Sequence, residues 1–181
     1  LLLLDLPQDS DLRKPVLTIQ EAGNRAAAIV QDLLTVARGV AISKEPIDLN
    51  DLIEDFLDSP EFKLKKASYS DVSIKTELDP ELLSVKGSTI HINKVLMNLV
   101  LNAMEAIDVR GLVTLTTANR YIDRPLRRYE NVNIGEYAVI SVADDGPGIS
   151  KDDLDRIFEP FYTKKMMGRS GTGIGLAVVW N

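Results

Sequence analysis

The 181-residue chain predicts an α+β architecture: one long helix, then a mixed domain in which an apolar helix is set among β-strands. Three observations predict it. Residues 11–38 place Leu12, Val16, Ile19, Gly23, Ala26, Ile29 or Val30, Leu33 and Ala37 at three- and four-residue steps, the repeat of one helix face. After Gly39 the repeat becomes alternation, over residues 72–78, 112–118 and 137–143, which are rich in Thr, Val, Ile and Tyr. Between the first two lies a run from Ser88 to Ile107 that is too long and too apolar for a strand. The change of period sets a boundary near residues 39–48, with a helical segment at 1–39 and an α+β domain at 40–181.

In the first helix Ser10 or Asp11 caps the start, Pro15 is tolerated only near the first turn, and Gly39 is the stop. Residues 1–6 read as the tail of an earlier helix that turns at 7–10. Ala22, Gly23, Ala26, Ala27 and Ala28 suit close helix approach, as in half of a dimerising hairpin; an amphipathic helix packed on its own domain stays open. Residues 42–48 contain a short strand, Asn50 caps a helix over 51–57, and 62–66 form a lysine-rich turn. Further strands fall at 72–78 and 82–86, and Ser88 or Thr89 starts the apolar helix. Residues 119–136, with Arg120, Arg124, Arg127 and Arg128, are longer than a hairpin turn needs and read as a solvated insertion or a partner contact.

Composition narrows the function classes. With 45% hydrophobic and 27% charged residues the chain is globular rather than disordered. A net charge of −6 argues against a nucleic-acid binder, which is usually basic. The absence of cysteine excludes disulfides, thiolate catalysis and cysteine zinc sites, and fits a cytoplasmic protein. Leu1–Leu4 is too short an apolar run to span a bilayer or act as a signal sequence, so no membrane segment is expected. A start without Met and an end inside an apolar run at 177–181 read as a piece of a longer protein.

Chemistry concentrates in the second half. Asn98 and Asn102 are four apart on the apolar helix and share a face, with Lys94 and Glu105 extending the stripe. An unpartnered buried amide costs roughly 1–3 kcal/mol, so two in register point to a ligand, a metal or a water network. Asp144 ends a strand and opens Asp-Asp-Gly-Pro-Gly-Ile; its carboxylate can accept from an adenine amino group while Gly146 and Gly148 let the turn pass beneath the base, although Asp-Gly is also an ordinary turn. Phe158 and Phe161 precede Lys164 and Lys165, either as core or as the tether of a polar lid over 164–170. Gly171-Thr172-Gly173-Ile174-Gly175-Leu176 follows, with backbone N–H groups suited to phosphate oxygens. Ile174 stands where a Walker A loop needs lysine, Leu176 where a dinucleotide fingerprint needs glycine, and the protein-kinase signatures are absent.

That ordered set, an asparagine helix, Asp-x-Gly-x-Gly, an aromatic segment and Gly-x-Gly-x-Gly-Leu over residues 87–180, resembles the ATP-binding domain of sensor histidine kinases, within the superfamily shared with gyrase, heat-shock chaperone and mismatch-repair ATPases. The resemblance implies a two-layer α/β sandwich with ATP between the helix layer and a flexible lid. It implies that Asn102 helps hold magnesium, that Asn98 lies near the phosphates, and that Asp144 reads the adenine amino group in a loop shaped by Gly146 and Gly148. Lys164 becomes a phosphate contact; Gly171, Thr172, Gly173, Gly175 and Leu176 line the nucleotide. The helix at 11–38 is similar to the end of the family's dimerisation and phosphoacceptor hairpin. This implies a homodimer in the full-length protein and a response-regulator receiver domain as partner.

Two departures stand out. The phosphoacceptor histidine belongs on the hairpin's first helix, and the sole histidine here, His91, lies at the start of the asparagine helix outside any acceptor motif. Glu105 stands where the family often has a basic residue, although Asn-Ala-x-Glu-Ala is familiar in one of its branches. Two alternatives remain: a truncated or degenerate nucleotide-binding or interaction module without kinase activity, and a gyrase- or chaperone-like ATP hydrolase. The hydrolases place a glutamate base where Asn98 stands.

Overall fold

A computed structural model describes residues 6–7, 9–37, 44–124, 132–164 and 173–180. The chain divides into two compact units, Ala41–Asp155 and a unit that joins Leu1–Val40 to Arg156–Asn181.

In the larger unit a short strand β1 (Glu45–Ile47) leads into α2 (Leu49–Asp58), following the long helix α1 (Arg13–Ala37) of the other unit. Asp48, not Asn50, caps α2: its carboxylate accepts from the N–H groups of Asn50 and Asp51 at 2.8 and 3.3 Å. Asn50 is helical and its carboxamide is used elsewhere. It donates to the Asp79 carbonyl at 2.8 Å and accepts from the Thr117 hydroxyl at 2.8 Å. The lysine-rich turn expected at 62–66 is instead a helix, α3 (Pro60–Lys66), with Ser59 as N-cap and Pro60 in its first turn.

A three-stranded sheet follows, ordered β2 (Val72–Glu77), β4 (Gly111–Ile122), β5 (Gly135–Asp144). β2 and β4 are parallel and β4 and β5 antiparallel, so the sheet is mixed. The strand expected at 82–86 is confined to β3 (Val85–Gly87), which pairs with β1 in a separate two-stranded sheet. The parallel β2–β4 pair requires a crossover, and α4 (Thr89–Ala106) supplies it. Ser88 caps α4, as its place before the apolar run predicts; its hydroxyl accepts from the His91 N–H at 3.5 Å.

The core lies between α2, α4 and the three-stranded sheet. Ile53, Leu96, Val100, Met104, Val113 and Leu115 are fully buried there, each worth roughly 1.5–3 kcal/mol of apolar burial. Period-two alternation places Val113, Leu115 and Thr117 of β4 and Ala138, Ile140 and Val142 of β5 on the face toward the helices. This is the two-layer α+β arrangement expected. Residues 119–122 and 135–136, expected in a solvated insertion, extend the two strands; the rest of that insertion between 125 and 131 lies outside the described residues.

In the smaller unit, Ser10 turns back on Pro7 through an N–H···O bond of 3.2 Å, and its hydroxyl accepts from the Leu12 N–H at 3.3 Å just before α1. Gly39 and residues 1–5 lie outside the described residues. Along α1 and at its approach, Leu12, Leu17, Ile19 and Val30 are exposed. After a short helix α5 (Lys151–Leu154) in the larger unit, the chain ends in α6 (Gly175–Trp180), which packs on α1. Among the described residues no helix is long and apolar enough to cross a membrane.

Candidate functional site

Asn98 and Asn102 stand one turn apart on α4, half-buried together with Lys94 and Glu105 on the same stripe. The face behind them carries Leu96, Val100, Ala103 and Met104 into the core, so the helix cannot rotate without exposing apolar surface. At the far end of the stripe Glu105 accepts from the Tyr69 hydroxyl at 3.4 Å. Partial burial of that phenol, and then the nearby Glu105 charge and hydrogen bond, push the Tyr69 pKa up.

Asp144 closes β5 opposite Val113. By strand alternation it shares the helix-facing side with Val142 and Ile140, and it emerges where α4 ends. Its Oδ1 accepts from the Gly146 N–H at 2.9 Å, a local Asx turn; its second carboxylate oxygen makes no hydrogen bond among the described residues. A Cβ on Gly146 would lie 3.1 Å from the Ala106 carbonyl oxygen, a tight contact, so glycine lets this turn lie against the last residue of α4 without displacing it. Gly148 follows with φ of 74° and open space around it. Within this unit, then, the Asp144 turn meets the end of the helix bearing Asn102 one turn back and Asn98 two turns back.

In the sequence Asp145 reads only as part of an Asp-Gly turn. Its Oδ1 accepts from the Leu112 N–H at 2.9 Å, across 33 residues of chain. No local signal announces such a pairing.

The other sequence-predicted residues belong to the smaller unit. Phe158 stacks on Trp180 with ring centroids 4.7 Å apart, and the Arg156 guanidinium lies 4.3 Å from the Tyr162 ring centroid. Phe161 is mostly exposed, so it is not a core residue, and its backbone has a φ of 69°. Its N–H donates to the Gly173 carbonyl at 2.9 Å. Lys164 is exposed, Gly175 opens α6, and Leu176 is half-buried on that helix. Gly171, Thr172 and the expected lid over 165–170 lie outside the described residues.

The donor set suits magnesium better than a softer metal. Among the described residues there is no group of three or more His, Cys, Asp or Glu that would make an all-protein cage. A carboxamide oxygen on a half-buried stripe matches a hard cation that takes most of its ligands from phosphate and water.

Comparison with known proteins places this geometry. Residues 87–180 match the family described as histidine kinase-, DNA gyrase B-, and HSP90-like ATPase. The chain is 34% identical over 181 residues to the sensor kinase CckA of Brucella abortus, covering 99% of this chain and 19% of that protein. It is 28% identical over 175 residues to the sensor histidine kinase ZraS of Escherichia coli K12, covering 97% of this chain and 33% of that protein. The chain thus spans between a fifth and a third of these relatives. Among solved structures, the histidine kinase ThkA in complex with the response regulator protein TrrA superposes with a TM-score of 0.61 at 25% identity, covering 88% of this chain and 42% of that one. With that family match covering residues 87–180, the chain belongs to the histidine kinase-, DNA gyrase B- and HSP90-like ATPase family and is homologous to sensor histidine kinases.

Proposed function

We propose that the chain is the ATP-binding catalytic part of a two-component sensor histidine kinase, residues 40–181 binding nucleotide and residues 1–39 closing a dimerising, phosphoacceptor hairpin. One observation carries this reading: the Asp144 turn lies against Ala106 at the end of the helix that bears Asn102 and Asn98. The eight helical steps from Ala106 back to Asn98 span about 12 Å, a length that a nucleoside triphosphate bridges. Asp144 receives the adenine amino group, with Gly146 and Gly148 shaping the turn beneath the base. Asn98 lies near the phosphates, and Asn102 would hold magnesium, which neutralises phosphate charge. The family resemblance would add Lys164, Gly171, Thr172, Gly173, Gly175 and Leu176 as nucleotide contacts.

In the proposed reaction a nitrogen of an acceptor histidine attacks Pγ. A P–N bond forms, the bond from Pγ to the β–γ bridging oxygen breaks, ADP leaves, and the imidazole proton passes to solvent. Such transfer depends on positioning and charge neutralisation more than on covalent help from protein. The phosphoryl group then moves to an aspartate of a response-regulator receiver domain; the similar histidine kinase ThkA was solved in complex with a response regulator protein. The exposed Leu12, Leu17, Ile19 and Val30 favour a second copy against α1.

For the 181-residue chain by itself a second reading has support: nucleotide binding without autophosphorylation, because its only histidine, His91, sits in the capped first turn of α4. Titration calorimetry with ATP and magnesium on Asn102→Ala tests the shared core of both readings. Affinity is expected to fall at least tenfold with the fold retained, as expected on losing a charge-assisted contact. Unchanged affinity would place the nucleotide elsewhere. Labelled ATP with a separate acceptor hairpin then separates the readings: phosphate on the hairpin histidine supports the kinase, and binding without transfer supports the second.

A further inference from the structure

We propose that Asp145 is a positioning residue that sets the aim of Asp144 and thereby the preference for adenine; this rests on the reading that Asp144 receives the adenine amino group. The β4–β5 ladder ends at the pair Val113–Asp144. Asp145 continues it by one step with its side chain, Oδ1 accepting the Leu112 N–H at 2.9 Å. The carboxylate fits because residue 111 is glycine. A Cβ there would overlap Asp145 Oδ1 and stand 2.9 Å from Ile107 Cγ2, the residue that follows α4. Asp145 is therefore keyed into a notch made by the start of β4 and the end of the asparagine helix.

The next two steps of the chain are held in the same way. Gly146 lies against the Ala106 carbonyl, and its N–H is bound by Asp144 Oδ1 at 2.9 Å. The Asp144 carboxylate is thus tied into a turn whose far side is pinned by Asp145. Releasing Asp145 frees the turn to rotate about the end of β5. The Asp144 oxygen would then lose its bearing relative to Asn98 and Asn102, which move with α4. Asp145 is itself exposed, so its removal is expected to act on the turn rather than on the core.

The experiment compares ATP with inosine triphosphate, which lacks the exocyclic amino group, by calorimetry on the full chain with magnesium. The unsubstituted protein is expected to prefer ATP. Asp145→Ala is expected to weaken ATP about tenfold and leave inosine triphosphate unchanged, the size of one lost charge-assisted hydrogen bond. Asp145→Asn keeps an acceptor oxygen for the Leu112 N–H and should stay within about twofold of the unsubstituted protein. Gly111→Ala pushes the same carboxylate from its notch and should reproduce Asp145→Ala, with no further loss in the double variant. If Asp145→Ala retains the ATP preference while Asp144→Asn abolishes it, the positioning role is overturned and the adenine reading stands. Equal weakening of both nucleotides, or unfolding of both Asp145→Ala and Gly111→Ala, assigns Asp145 to the fold and also overturns the role. An unsubstituted protein without ATP preference overturns the adenine reading and this inference with it.

Discussion

Phe161 carries a backbone that its side chain disfavours. Its φ of 69° is in the left-handed region, and its N–H is bound to the carbonyl of Gly173, whose own φ is 67°. A Cβ on Gly173 would stand 2.5 Å from the Phe161 carbonyl carbon and 2.7 Å from its Cα. Both residues therefore adopt a conformation that costs an L side chain about 1–2 kcal/mol, and at Gly173 there is no room besides. Gly173→Ala is expected to destabilise by about 2 kcal/mol or more, read from urea unfolding. Phe161→Gly should change stability by no more than about 0.5 kcal/mol, since relief of the left-handed backbone offsets the entropy of glycine and the ring is mostly exposed. The glycine pattern at 171–175 was legible as a backbone requirement; the residue it meets was not, because the closing hydrogen bond joins two segments twelve residues apart.

Among the elements, β4 is tied to its surroundings through polar side chains as well as its ladder. The buried Thr117 hydroxyl accepts from the Asp79 N–H at 2.9 Å and donates to Asn50 Oδ1, while Asn50 returns a hydrogen bond to the Asp79 carbonyl. Asn119 repeats the motif two residues on, accepting from the Leu83 N–H at 2.9 Å and donating to the Glu81 carbonyl at 2.7 Å. Thr117→Val keeps the volume but strands the Asp79 N–H, so a loss of about 1–3 kcal/mol is expected in the same urea measurement. This ring also explains the misplaced cap of α2. Asp48 and Asn50 are both good caps by type, and Asn50 is withdrawn by a partner 67 residues away. The alternation of Val113, Leu115 and Thr117 was readable because one face of the sheet is buried. α3 went unread despite the Ser59-Pro60 start signal, because its lysines mask the single buried anchor, Phe62.

At the scale of the molecule, a nucleotide bound only by the folded chain stabilises it by mass action. At about 100 times Kd this amounts to roughly 2.7 kcal/mol, or an upward shift of about 5–10 °C for a chain of this length. Differential scanning calorimetry should show that shift with ATP and magnesium, a smaller one with ATP and EDTA, and at most about half of it with Asn102→Ala at the same ATP concentration. A shift of equal size in the Asn102→Ala protein would sink the assignment of that residue. The sequence by itself determined most of the element types, α3 excepted, the order of the nucleotide motifs and the family, because periodicity, glycine spacing and paired asparagines are local properties written in neighbouring residues. Only the tertiary structure decided which side chains serve the fold and which face the candidate site. Asp144 and Asp145 are adjacent and chemically identical, yet one ends β5 on the helix-facing side and the other is spent on a backbone N–H at the start of β4. That division depends on strand register and on the absence of a Cβ at Gly111, both set by contacts between residues distant in the chain.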